Sequence, residues 1–115
     1  MNYILLILTL ILSTKITMKE IYSFTTQTKV NEWRIVNDGV MGGVSKSSLL
    51  LSDAGHGQFS GHVSLANNGG FASIQLNKTI NLPAEKKFII FRVKGDGKSY
   101  EFRLKGNSAQ YESYV

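Results

Sequence analysis

From Glu20 onward the chain alternates apolar and polar residues with a period of two, in short runs separated by Gly, Asn and Asp. Side chains two apart share one face of a strand, so this pattern builds half-buried β-strands. No stretch carries the 3.6-residue period of an amphipathic helix. The chain is therefore predicted to be all-β. Ile21, Tyr22 and Phe24 mark a first strand, Trp33-Arg34-Ile35-Val36 a short second one, and Leu49-Leu50-Leu51 a buried third. Within Gly57–Leu65, Phe59, Gly61, Val63 and Leu65 fall on one face, with Gln58, Ser60, His62 and Ser64 on the other. In Phe71–Leu76 the inward set is Ala72, Ile74 and Leu76. Between these two runs Asn67-Asn68-Gly69-Gly70 reads as a hairpin turn, because Asn and Gly tolerate positive φ.

Asp96-Gly97 is a favoured two-residue turn, and it sets a register for a second hairpin over residues 87–105. Val93 then meets Tyr100, Phe91 meets Phe102 and Ile89 meets Leu104 on one face, while Arg92 meets Glu101 on the other. A slip by one residue would carry charge into the core, which specifies the register. The last run, Gln110–Val115, alternates like a strand but has no turn or closing partner in the sequence. That predicts an open sheet edge, through which the chain could form a homodimer.

Charge and composition narrow the function. Seven basic side chains lie in residues 86–105 against Asp96 and Glu101, which accounts for the net charge of +5 of the whole 115-residue chain. No nucleic-acid motif accompanies them, so they read as solvent-facing strand positions rather than a nucleic-acid footprint. Without cysteine there is no disulfide, thiolate metal site or thiol nucleophile. His56 and His62 lack a carboxylate cluster, so no metal site is predicted. Tyr3–Leu12 is an apolar run of ten residues, about half of what spans a bilayer but within the range of a signal-peptide core. Residues 1–17 are thus read as a signal peptide and 18–115 as the domain, secreted or periplasmic. Met18 offers a second start, which would leave the protein intracellular or mitochondrial.

The densest glycine stretch is Asp38-Gly39-Val40-Met41-Gly42-Gly43-Val44-Ser45. It matches neither a P-loop nor a dinucleotide fingerprint, and it reads as an irregular turn or a loop that a ligand approaches. Asn67-Asn68-Gly69-Gly70-Phe71 could present two amides and a ring to a sugar, or simply turn into a strand. Trp33, the sole tryptophan, suits core packing first and ligand stacking second. No G-x-S-x-G elbow or carboxylate pair for glycoside hydrolysis is present, so no catalytic residue is assigned and no enzyme is expected.

Taken together and in order, the strings Trp33–Ser45, Phe59-Ser60-Gly61 and Asn67–Ser73 resemble the complex I intermediate-associated protein family, the thirty-kilodalton assembly factor of NADH:ubiquinone oxidoreductase. The resemblance covers roughly residues 20–105. It implies a galactose-binding-like jelly-roll β-sandwich, here missing its last strands. It also implies a non-enzymatic, chaperone-like role in respiratory complex assembly, with no cofactor and with respiratory complex subunits as partners. Trp33, Asp38, Met41, Gly42, Gly43, Ser45, Asn67, Asn68, Gly69, Gly70 and Phe71 become candidates for a binding or structural loop surface. The alternative, from the leader and the sandwich fold, is an exported carbohydrate- or ligand-binding module.

Overall fold

The computed structural model describes Lys15, residues 17–106 and the backbone of residues 111–114. The apolar run expected to be a leader lies outside the described residues. The chain divides between Asn81 and Leu82 into two compact units. Among the described residues the regular structure is strand, with short 3₁₀ turns as its only helical geometry. Among the described residues six strands form three two-stranded antiparallel sheets.

In the first unit β1 (Trp33–Asn37) pairs with β4 (Ala72–Leu76), and β2 (Lys46–Leu51) pairs with β3 (Gly57–His62). An inner hairpin is thus nested inside an outer strand pair. Trp33 opposes Leu76, Ile35 opposes Ile74 and Asn37 opposes Ala72, which puts the expected inward set of β4 on one face with Trp33 and Ile35, while Val36 opposes Ser73 on the other. In the inner hairpin Leu49 opposes Phe59 on the sheltered face, while Lys46, Ser48 and Leu50 meet His62, Ser60 and Gln58 on the wet one. The two-residue alternation explains why only one leucine of the Leu49–Leu51 run is buried. Leu49 is 9% exposed and Leu50 is 59% exposed, so this strand is half-buried rather than buried throughout.

Three other expectations change. Residues 21–24 enter no ladder. Tyr22 and Phe24 instead pack on Trp33, with ring centroids 5.2 and 5.7 Å from the indole and 5.1 Å from each other. Each such pair contributes about 0.5–1.5 kcal/mol beyond its buried area. Gly57 makes room for this segment, since a Cβ there would lie 2.5 Å from the Phe24 ring. Second, β3 ends at His62, so Val63 and Leu65 leave the strand and are 50% and 80% exposed. Third, Asn67-Asn68-Gly69-Gly70 has the positive φ expected, at 55° for Asn67, 58° for Asn68 and 146° for Gly70. The strands it joins do not pair with each other, however. It is a connection between sheets rather than a hairpin turn.

In the second unit the Asp96-Gly97 turn forms, with Gly97 at φ 87° and the Lys98 N–H donating to Asp96 Oδ1 at 3.1 Å. Phe91 and Phe102 stack as the register requires, 4.9 Å apart. The ladder beyond them does not form. Residues 87–101 hold no strand, and Glu101 pairs with Arg103 at 2.5 Å instead of opposing Arg92. β5 (Phe102–Lys105) is taken by β6 (Tyr111–Tyr114), with Phe102 opposite Tyr114. The final strand therefore has a partner within the chain, which the sequence did not offer, and in this two-stranded sheet its other edge pairs with no strand among the described residues.

Candidate functional site

Asp38 follows β1 directly and opens a 3₁₀ turn over Asp38–Met41, which Gly42 ends at φ 88°. Its side chain is fully buried, the only one so among the described residues. Oδ1 accepts the Ser45 N–H at 2.9 Å. Oδ2 accepts the Ser45 hydroxyl at 2.5 Å, the Gly70 N–H at 2.7 Å and the Phe71 N–H at 3.4 Å. Four donors thus converge on one carboxylate, one at Oδ1 and three at Oδ2. The backbone repeats the connection, with Asp38 N–H donating to the Phe71 carbonyl at 3.2 Å and Gly43 N–H to the Asp38 carbonyl at 3.0 Å.

The two glycine blocks of the sequence are thus held together by one carboxylate. That geometry accounts for two of the glycines. A Cβ added to Gly43 or to Gly69 would run into the Asp38 carboxyl group. Ser45, 6% exposed, completes the arrangement: its hydroxyl donates to Asp38 and accepts the Ser64 N–H at 2.9 Å. Ser64 is a member that sequence reasoning missed. Nothing about an isolated serine at the end of an alternating run marks it, since its role is a backbone donor reached through the fold. Ser47 Oγ donates to Asn37 Oδ1 at 2.7 Å, tying the end of β1 to the start of β2 beside this site.

The electrostatics fit a structural anchor. Hydrogen bonding from the Ser45 hydroxyl, with further bonds from the Gly70, Ser45 and Phe71 N–H groups, outweighs burial and holds the Asp38 carboxyl below the ordinary aspartate range. A fully buried carboxylate held ionised by four donors is a poor general base. Ser45, buried and already bonded on both sides, offers no nucleophile to a substrate.

The other candidates are distributed around this anchor. Met41, Asn67, Asn68 and Phe71 lie at the surface, Met41 with 63% of its area in water. Val40 and Leu65, each 80% exposed, stand on the same two loops. Trp33 belongs elsewhere, at the opposite end of β1 among Tyr22 and Phe24, where its Nε1 is buried without a hydrogen-bond acceptor. In that cluster burial, followed by a 2.8 Å bond to Glu32, raises the Tyr22 hydroxyl above the ordinary tyrosine value. His56 and His62 flank β3 at its two ends. Among the described residues no group of three His, Asp or Glu side chains could hold a metal ion, and no helix is long and apolar enough to cross a membrane.

Comparison with known proteins bears on both glycine blocks. The family model described as complex I intermediate-associated protein 30 matches residues 22–115. Two curated relatives are each 34% identical over 102 residues, covering 72% of this chain. They are the probable complex I intermediate-associated protein 30, mitochondrial, of Caenorhabditis briggsae and its counterpart in Caenorhabditis elegans. The chain spans about 29% of the length of these relatives. No solved structure matches significantly.

Proposed function

We infer a function from one premise: the chain belongs to the complex I intermediate-associated protein 30 family. It acts as a non-enzymatic, chaperone-like assembly factor in mitochondria, holding respiratory complex I subunits during their assembly. The observation that carries this reading is the contrast at the Asp38 site between a rigid interior and an apolar rim. A buried carboxylate fixes two loops, and those loops hold Val40, Met41 and Leu65 in water. Apolar side chains kept exposed on a fixed frame are a feature of surfaces that bind protein. The nesting of β2–β3 inside β1–β4 supports the jelly-roll form of the sandwich, which winds a hairpin in this way.

The exported glycan-binding alternative draws no support. The relatives are named as mitochondrial. Trp33, the ring such a module would use for stacking, is packed against Phe24 and Tyr22.

Affinity capture from mitochondria of the source organism tests the proposal. Wild-type protein should recover complex I subunits. A Val40→Asp, Met41→Asp, Leu65→Asp variant with unchanged melting temperature should recover them at least about tenfold less well. Equal recovery would move the contact away from these loops, and failure to recover any complex I subunit with either protein would refute the assembly role.

A further inference from the structure

The second unit carries an apolar segment that its sequence equips for burial and its structure leaves bare. Residues 88–93 read Phe-Ile-Ile-Phe-Arg-Val, with apolar residues on both parities. A strand of that kind is built to be covered on two faces. Yet Phe88 is 85% exposed, Ile90 81% and Val93 74%. Among the described residues, no backbone group of residues 87–94 enters a ladder or another backbone hydrogen bond. The backbone of this segment therefore has no strand neighbour, and among its apolar side chains Phe91 alone has a ring partner, stacked on Phe102, while Phe88, Ile90 and Val93 stand in water.

Charge indicates what would pair with it. Lys87, Arg92, Lys94 and Lys98 lie in or beside the segment. Residues 86–94 hold no acid; of the flanking carboxylates, Asp96 accepts the Lys98 N–H and Glu101 pairs with Arg103, while Glu85 precedes Lys86 and Lys87. A second copy fits poorly. Antiparallel self-pairing about Ile90 sets Lys86 against Lys94 and gathers eight positive charges on two strands without an acid between them. Like charges directly opposed destabilise a strand pair. An anionic membrane surface would answer the charge and the apolar side chains, but it would leave the free N–H and C=O groups unpaired in a poorly hydrogen-bonding medium. An extended acidic peptide answers all three demands.

We propose that residues 88–94 bind an extended, acidic segment of another protein by adding it as an antiparallel β-strand, with its carboxylates meeting Arg92 and Lys94. It draws on no residue of the Asp38 loops, and the inference stands whether or not those loops hold complex I subunits.

A fluorescent heptapeptide alternating Glu or Thr with Val provides the probe, measured by anisotropy against the full chain. It should bind saturably. Binding should weaken at least about tenfold for a twin with Lys in place of each Glu, and likewise for a twin N-methylated at alternate amides. The Arg92→Glu, Lys94→Glu variant should lose a similar factor. A Lys29→Glu, Lys78→Glu variant, with the same change in net charge in the first unit, should bind as wild type does. Far-UV circular dichroism matching wild type secures the fold of each variant. Equal binding of the Glu and Lys peptides, indifference to N-methylation, or no saturable binding would each overturn the proposal. Co-sedimentation with phosphatidylcholine–phosphatidylserine vesicles in the absence of peptide binding would overturn it in favour of a membrane surface.

Discussion

The dipeptide Asp-Gly occurs at Asp38-Gly39 and again at Asp96-Gly97, and the two copies have opposite fates. At Asp96 the carboxylate is exposed and works locally, accepting the N–H two residues on and bonding to the Tyr100 hydroxyl. This is an Asx turn, complete within five residues. At Asp38 the carboxylate is fully buried and reaches Ser45 seven residues on and Gly70 thirty-two residues on. Both carboxyls sit below the ordinary aspartate range, one through a local N–H and the other through bonds that exist only in the folded chain. The same two letters therefore mark a turn in one unit and a tertiary tie in the other. What separates them is whether glycines elsewhere clear space for the carboxyl group.

One substitution made at both sites tests this most severely. Asn keeps one oxygen of the carboxylate and turns the other into a donor. At Asp38 it can accept at most part of a set of four donors, and it points an N–H₂ at groups that are themselves donors. Asp38→Asn should lower Tm by on the order of 10 °C or more, read by circular dichroism. A melt indistinguishable from wild type would show that the loops do not depend on the carboxylate.

The glycines provide the next contrast. Gly43→Ala and Gly69→Ala each drive a methyl group into the Asp38 carboxyl, and each should cost about 1–3 kcal/mol. Gly95→Ala is the matched control in the second unit, because a Cβ there meets nothing within 4 Å. It should stay within about 0.5 kcal/mol of wild type. Chemical denaturation of the three variants decides the point, and equal losses at all three positions would mean that generic glycine effects explain them.

These contrasts also show what was legible in the sequence. The alternation of β1 to β4, the inward set of β4 and the positive φ at Asn67, Asn68 and Gly97 follow from local rules and are present, whereas the runs at residues 21–24 and 87–94 build no strand. The Asp38, Gly43, Ser45, Gly69, Gly70 grouping was visible only as two separate strings. Their meeting depends on β1 pairing with β4 across the inner hairpin, a long-range choice that no local period encodes. Ser64 contributes a backbone N–H, to which its side-chain identity gives no clue. The hairpin expected at residues 87–105 fails for a related reason. Its turn and its Phe91–Phe102 pair are local and form, whereas the ladder between them does not, and β5 pairs with β6, a distant partner that turn chemistry does not encode.

Acid titration sharpens the comparison further. Because the native pKa of Asp38 lies below its unfolded value of about 3.9, its contribution to stability is complete above that value. It is lost as pH falls through the lowered native pKa. Urea midpoints should therefore be steady from neutral pH down to about 5 as far as Asp38 is concerned, and fall below about 4. Asp38→Asn, measured where it remains folded, should fall less steeply over the acid range than wild type. An unchanged acid slope in that variant would assign the fall to other carboxyls.

The smallest effect is expected at Asp96, and it is the most specific. Asn at this position keeps an acceptor for the Lys98 N–H, so the turn should survive Asp96→Asn with Tm within a few degrees of wild type. Its signature lies in Tyr100 instead. The Asp96 carboxylate raises the Tyr100 phenol above its ordinary value, first through their hydrogen bond and last by its charge. Removing that charge should move one tyrosine of five to a lower pKa, read as an earlier rise in phenolate absorbance near 295 nm against wild type. The Asp38→Asn variant, if folded at alkaline pH, should leave this curve unchanged, since Asp38 acts through Ser45, Gly70 and Phe71 rather than through a phenol. A shift in both variants would mean that the titration reports global loosening rather than the local bond. A shift in neither would leave Asp96 with the Lys98 N–H as its only partner and reduce the second Asp-Gly to a bare turn.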